Sequence, residues 1–213
     1  MRLLDFIFPP RVDEVTLRGV SDDEFLAHVS PRLVPQTRPG TVALFPFHDV
    51  CVRAAIHEAK YHGSERAFRL LGSALAEYLR DADDVGRGTS NAYLVPVPLG
   101  KNRLKERGFN QVEEIARCAT KELGDNFILN SNLLERVKET QTQVSLPRDR
   151  REKNMHGAFS VSSKLLVASV AEISNHTYII VDDVLTTGAT LQAAIDALKD
   201  AGAEHIVPLA LAH

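Results

Sequence analysis

Apolar positions along this chain fall into two patterns, helical spacing and short unbroken runs. Ala67, Leu70, Leu71, Ala74, Leu75, Tyr78 and Leu79 follow the i, i+3, i+4, i+7 rule. That spacing predicts one amphipathic helix over 64–80, ended by Asp83, Asp84, Gly86 and Gly88. Val112, Ile115, Ala116, Ala119 and Leu123 predict a second helix over 110–123, stopped at Gly124. Other apolar stretches are short and unbroken. Residues 92–97 form one such run, and Pro96 and Pro98 put its end at a sheet margin or turn. Tyr178, Ile179, Ile180 and Val181 form another, read as a strand buried on both faces. Leu191, Ala194, Ile195 and Leu198 then share a helix face, Ala201 and Gly202 end that helix, and residues 206–212 give the next strand. Strand, loop, helix and strand within about 35 residues make a βαβ unit, so an α/β fold with a parallel sheet is expected.

The first 40 residues differ. They hold Pro9, Pro10, Pro31, Pro35 and Pro39 and the acidic cluster Asp22, Asp23 and Glu24. Prolines at this density disfavour a long helix and predict an extended arm. Leu3, Leu4, Phe6, Ile7 and Phe8 would dock it. Composition adds bounds. At 213 residues and 44% hydrophobic, the chain can bury a core. A net charge of -3 argues against a surface built to coat nucleic acid. Cys51 and Cys118 are the only cysteines. No disulfide framework and no all-cysteine zinc site can be built from them, and a reduced, cytoplasmic setting is expected. No run of about 18 apolar residues predicts a membrane span, so no membrane partner is expected. Asp5 and the Pro9–Pro10 pair spoil the start as a signal peptide. Residues 136–153 are locally basic: Arg136, Lys138, Arg148, Arg150, Arg151 and Lys153 stand against Glu139, Asp149 and Glu152. A long connection of this kind is functional or disordered.

The chemistry concentrates at 182–190. Ligands of open parallel sheets bind beyond the carboxyl ends of strands, and Asp182 and Asp183 sit at such an end. Two adjacent carboxylates there repel each other unless a cation or hydroxyls use them. Thr186, Thr187, Gly188, Ala189 and Thr190 follow, rich in hydroxyls and N–H groups, and lead into a helix N-terminus that favours an anion. One ligand with hydroxyls and a phosphate would satisfy both halves, as a ribose 5-phosphate does. No G-x-x-x-x-G-K-[ST] loop and no G-x-G-x-x-G fingerprint is present, which sets aside P-loop ATPase and dinucleotide sites.

Residues 179–190 resemble the phosphoribosyl pyrophosphate signature of type I phosphoribosyltransferases. Within that superfamily, residues 44–212 resemble the ComF family of competence proteins. The residues carrying this are 56–63, 95–99, Arg103, 107–111, Thr140, Gln141 and 151–159. The resemblance implies an arm or hood over 1–43 and a phosphoribosyltransferase-like domain over 44–213. It implies that Asp182 and Asp183 meet the ribose hydroxyls, directly or through Mg²⁺-bound water. Thr186 to Thr190 would cradle the 5-phosphate. Pro98, Leu99, Gly100 and Lys101 would bind pyrophosphate, with Arg136 and Arg148 from a mobile loop over 136–153. Asp182, Asp183, Arg103 and Arg107 are the candidate catalytic groups.

ComF proteins commonly begin with a four-cysteine zinc element after a Leu-Leu/Pro-Pro start. Leu3, Leu4, Pro9 and Pro10 are here, but Arg11, Val12, Asp13 and Glu14 follow, so no zinc is expected. His57, His62 and Cys51 read as packing or surface residues. The expected activity is transfer of the phosphoribosyl group to an unknown nitrogen acceptor, with Mg²⁺. A ribose-phosphate sensor without catalysis is one alternative. A DNA-uptake accessory that binds single-stranded DNA or competence proteins is another. A homodimer is left open.

Overall fold

The computed structural model describes residues 11–82, 92–138, 155–162 and 173–213. Fifteen elements follow in chain order among these described residues. Helices α1 (Val12–Gly19) and α2 (Asp22–Leu26) precede strands β1 (Arg32–Val34) and β2 (Thr41–Phe45). Then come α3 (Val50–His62), α4 (Glu65–Asp81), β3 (Ala92–Pro96), α5 (Lys101–Arg107) and α6 (Gln111–Leu123). Short strands β4 (Phe127–Leu129), β5 (Leu134–Arg136) and β6 (Phe159–Val161) follow, then β7 (Thr177–Val184), α7 (Ala189–Asp200) and β8 (His205–Ala212).

Six strands form the central sheet in the order β1-β2-β8-β7-β3-β4. All pairs are parallel except the edge pair β1–β2. Side chains of β7 alternate between two cores. Ile179 and Val181 pack with α3, α4 and α6 on one face, while Tyr178 and Ile180 pack with α7 on the other. Both faces of β7 are therefore covered, as its unbroken apolar run predicts. The helix expected over 64–80 is α4, which starts after Ser64, whose hydroxyl accepts from the Ala67 N–H at 3.4 Å. The helix expected over 110–123 is α6, capped by Asn110.

The N-terminal segment corrects the expectation of an extended arm. Residues 12–19 and 22–26 are helical. The prolines bracket these helices rather than interrupt them. Ser21 and Glu24 form a capping box at the start of α2, which satisfies N–H groups that proline-rich coil would leave to water. Leu17 and Phe25 are buried in the main core. Charge also fastens this segment: Arg11 donates twice to Glu58 on α3, at 2.9 and 2.7 Å. Arg66 on α4 donates to the Leu17 and Val20 carbonyls at the end of α1, where helix carbonyls lack internal partners. Leu3, Leu4, Phe6, Ile7 and Phe8 lie outside the described residues. The expected boundary at 43/44 falls inside β2, a member of the central sheet.

Candidate functional site

The connections leaving β3 and β7 depart to opposite sides. The chain from β3 passes through α6 to β4, and β7 passes through α7 to β8 on the other face. Such a reversal opens a crevice at the carboxyl ends of the two strands. Pairing between them stops at Pro96 and Val181, so β7 continues alone on that side with Asp182 and Asp183.

A cleft of about 550 Å³ occupies this crevice. It brings together Asp182, Asp183, Thr186, Thr190, Pro98, Leu99, Arg103, Arg107 and Arg136. Thr187, Gly188 and Ala189 join Thr186 and Thr190 around a small concavity at the start of α7. Gly188 has φ +80°, a conformation that favours glycine. A Cβ there would stand 2.9 Å from the Gln36 Cβ and 3.0 Å from the Gln36 carbonyl oxygen. Of the loop residues expected on pyrophosphate, Pro98 and Leu99 line the cleft, Gly100 is the buried residue preceding α5, and Lys101 is exposed. Arg148 lies outside the described residues, as does 139–153 of the expected mobile loop. Its base is described: β5 pairs with β6, and the Arg136 guanidinium sits 5.6 Å from the Phe159 ring centroid.

The acid pair is asymmetric. Asp183 is buried and partnered, with Gln111 Nε2 donating at 2.7 Å and Lys60 Nζ at 3.2 Å. Asp182 Oδ1 accepts the Asp183 N–H at 2.9 Å. Burial first, and the Asp183 charge second, push the Asp182 carboxyl up to about 7. The hydrogen bond from the Asp183 N–H acts against that rise, as do the Lys60 and Arg136 charges. An all-oxygen donor pair whose charges crowd each other suits a hard divalent cation such as Mg²⁺, or the hydroxyls of a sugar.

Several lining residues were not anticipated. Phe47, Ile56, His57, Lys60 and Tyr61, on and before α3, form one wall, and Gln111 forms part of another. Val52, Ala55, Ile56 and Ala59 follow the helical spacing, a signal from which α3 is recoverable. Asn110 explains the position of Gln111: its Nδ2 donates to the Val97 carbonyl at 3.1 Å while its Oδ1 caps α6. The end of β3 and the start of α6 are thus tied beside the acid pair. Cys51 lies near His28 and Asp49 rather than His57 and His62. Both Asp49 oxygens are already used, Oδ1 by the Cys51 and Val52 N–H groups and Oδ2 by His28 at 2.8 Å.

Residues 125–212 match the phosphoribosyl transferase domain. Competence protein F of Haemophilus influenzae is 35% identical over 138 residues, covering 65% of this chain and 57% of that protein. Competence protein ComFC of Bacillus subtilis is 30% identical over 115 residues, 51% of this chain and 39% of that protein. The bifunctional protein PyrR of Corynebacterium diphtheriae is 43% identical over 68 residues, 32% of this chain and 34% of its own length. The chain thus spans about a third to three fifths of the length of the curated relatives it matches. Fold, crevice and domain match define a phosphoribosyltransferase-like α/β protein. Within that class, the chain is similar to the ComF competence proteins.

Proposed function

We propose that the cleft binds phosphoribosyl pyrophosphate with Mg²⁺ and transfers the phosphoribosyl group to a nitrogen acceptor, releasing pyrophosphate. The observation that carries this reading is the pairing, on one strand–loop–helix, of the acid pair with the loop Thr186–Thr190. Asp182 and Asp183 take the ribose hydroxyls and the cation, and Lys60 and Gln111 hold Asp183 in place. The loop N–H groups and the start of α7 take the 5-phosphate. Pro98 and Leu99 border the leaving pyrophosphate, and Arg103 and Arg136 bring positive charge toward it. The transition state carries oxocarbenium character, so these preorganised charges stabilise the departing anion. Mg²⁺ supplies charge neutralisation on the same group when bound. No structural zinc enters this reading.

Calorimetric titration with phosphoribosyl pyrophosphate tests the proposal. Saturable binding at one equivalent that weakens without Mg²⁺ supports it, and no binding to folded protein overturns it. Pyrophosphate release on adding nitrogen acceptors separates transfer from sensing. A second reading, an accessory role in DNA uptake, draws on the names of two relatives, Competence protein F and Competence protein ComFC. Salt-dependent binding of single-stranded DNA is its mark.

A further inference from the structure

One corner of the cleft has a chemistry that ribose, 5-phosphate and pyrophosphate leave unused. His57, Lys60 and Tyr61 present one face of α3 to it. Tyr61 is 61% exposed, unusual for a large ring in a concave site. The His57 ring meets it edge-on, with centroids 5.9 Å apart. The Arg107 guanidinium lies 5.7 Å from the Tyr61 ring centroid and donates to Gln111 Oε1. Gln111 in turn holds Asp183, so this corner is linked to the ribose end of the cleft by one side chain.

The charge balance of this corner is uneven. Lys60 is matched by Asp183. Among the described residues Arg107 has no carboxylate partner, and its hydrogen bond goes to a neutral amide. Burial lowers its pKa and the Asp183 charge opposes that, yet a guanidinium stays protonated. Arg107 is also displaced from the pyrophosphate loop. It follows Lys101 by six helical residues, about 9 Å along the axis at 1.5 Å per residue. Arg103, one turn earlier, is the nearer cation to that loop. A fixed cation beside an exposed aromatic ring recognises a planar group that carries negative charge.

We infer that Tyr61, His57 and Arg107 form the acceptor subsite, and that the acceptor is a planar nitrogen heteroaromatic bearing a carboxylate. This rests on the phosphoribosyl-transfer reading for its role, though not for its chemistry. In the reaction, the bond from the anomeric carbon to the pyrophosphate oxygen breaks with its electron pair. The ring nitrogen's lone pair forms the new carbon–nitrogen bond, and any N–H proton passes to water.

The test uses the full chain with Mg²⁺ pyrophosphate present, so that a carboxylate cannot simply occupy the pyrophosphate position. Two matched pairs of probes are titrated calorimetrically: nicotinate with nicotinamide, and orotate with uracil. The carboxylate member of at least one pair should bind about tenfold more tightly, the worth of one charge-assisted contact. Arg107→Gln should erase that preference, Arg107→Lys should keep it, and Tyr61→Leu should weaken both members of the pair. Arg103→Gln should cost pyrophosphate affinity and leave the preference intact. Equal binding of acid and neutral partners, a preference that survives Arg107→Gln, or no binding of any probe to protein that binds pyrophosphate overturns the inference. A separate titration with phosphoribosyl pyrophosphate reads the underlying proposal. Should it fail while the carboxylate preference holds, the subsite stands and the transfer reading falls.

Discussion

Asp182 is a carboxylate kept where its charge is disfavoured, and that has a measurable consequence. Its pKa in the folded protein, about 7, lies above the ordinary carboxylate value. The folded state therefore binds more protons than the unfolded state between about pH 4 and 7. Stability from this group is complete below the unfolded value and is lost as pH rises through about 7. Asp182→Asn should then be more stable than wild type at pH 8, by about 1–3 kcal/mol, and gain little at pH 4. Urea unfolding at both pH values, with chelator present, checks this; an equal gain at both would mean that the proton is not the cause. The Asp182→Asn/Asp183→Asn pair should also bind phosphoribosyl pyrophosphate far more weakly. Gly188 makes the opposite case, a residue chosen for what it lacks. Gly188→Ala forces a side chain into positive φ and against the Gln36 backbone. A cost of about 1–2 kcal/mol in stability is expected, with 5-phosphate affinity falling because the loop must shift. Unchanged ribose 5-phosphate binding would show that the loop's shape does not matter.

At the scale of elements, what could be read from the sequence tracks length and period. The helices α4 and α6 and the unit β7–α7–β8 carry long, regular patterns, and the structure places them where those patterns do. Strands β1, β4, β5 and β6 have three residues each, too few for a period to emerge. The acid pair and the loop Thr186–Thr190 are legible because their polar side chains are contiguous in sequence. Lys60, Tyr61 and Gln111 are not, because only the packing of α3 and α6 on the sheet brings Lys60 and Gln111 to Asp183 and Tyr61 into the same cleft. Docking of α1 is likewise a tertiary matter. Glu58 is 2% exposed and Arg11 is 49% exposed. The two hydrogen bonds from Arg11 hold the Glu58 carboxyl below the usual range. Arg11→Ala strands a buried carboxylate and should cost about 1–3 kcal/mol, discounted from a fully buried pair because Arg11 is half in water. Adding Glu58→Gln should return part of that loss. A double-mutant cycle by thermal unfolding measures the coupling, and a value near zero would leave the apolar packing of Leu17 and the Arg66 hydrogen bonds to hold α1.

The whole molecule couples its site to its stability, because the cleft is made by elements that are far apart in sequence. Strand β7 brings Asp182 and Asp183, α3 brings Lys60, α5 brings Arg103, and β5 brings Arg136. A ligand that engages all of them ties β5 and α5 to the central sheet, and it binds only the folded chain. At about 100 times its dissociation constant such a ligand adds about 2.7 kcal/mol. For a chain of this length each kcal/mol raises the melting temperature by about 2–4 °C, so phosphoribosyl pyrophosphate with Mg²⁺ should raise it by roughly 5–10 °C. Ribose 5-phosphate should do less at equal concentration, because it leaves the cations near Pro98 and Leu99 unengaged. Pyrophosphate alone should do less as well, because it leaves the acid pair and the loop Thr186–Thr190 unengaged. The size of the shift from the intact ligand, compared with those from its two halves, therefore reports whether one molecule spans the cleft. Differential scanning fluorimetry of the three ligands with Mg²⁺, repeated on Asp182→Asn/Asp183→Asn, makes the comparison. A shift from phosphoribosyl pyrophosphate no larger than that from pyrophosphate would mean that the acid pair and the phosphate loop take no part in binding.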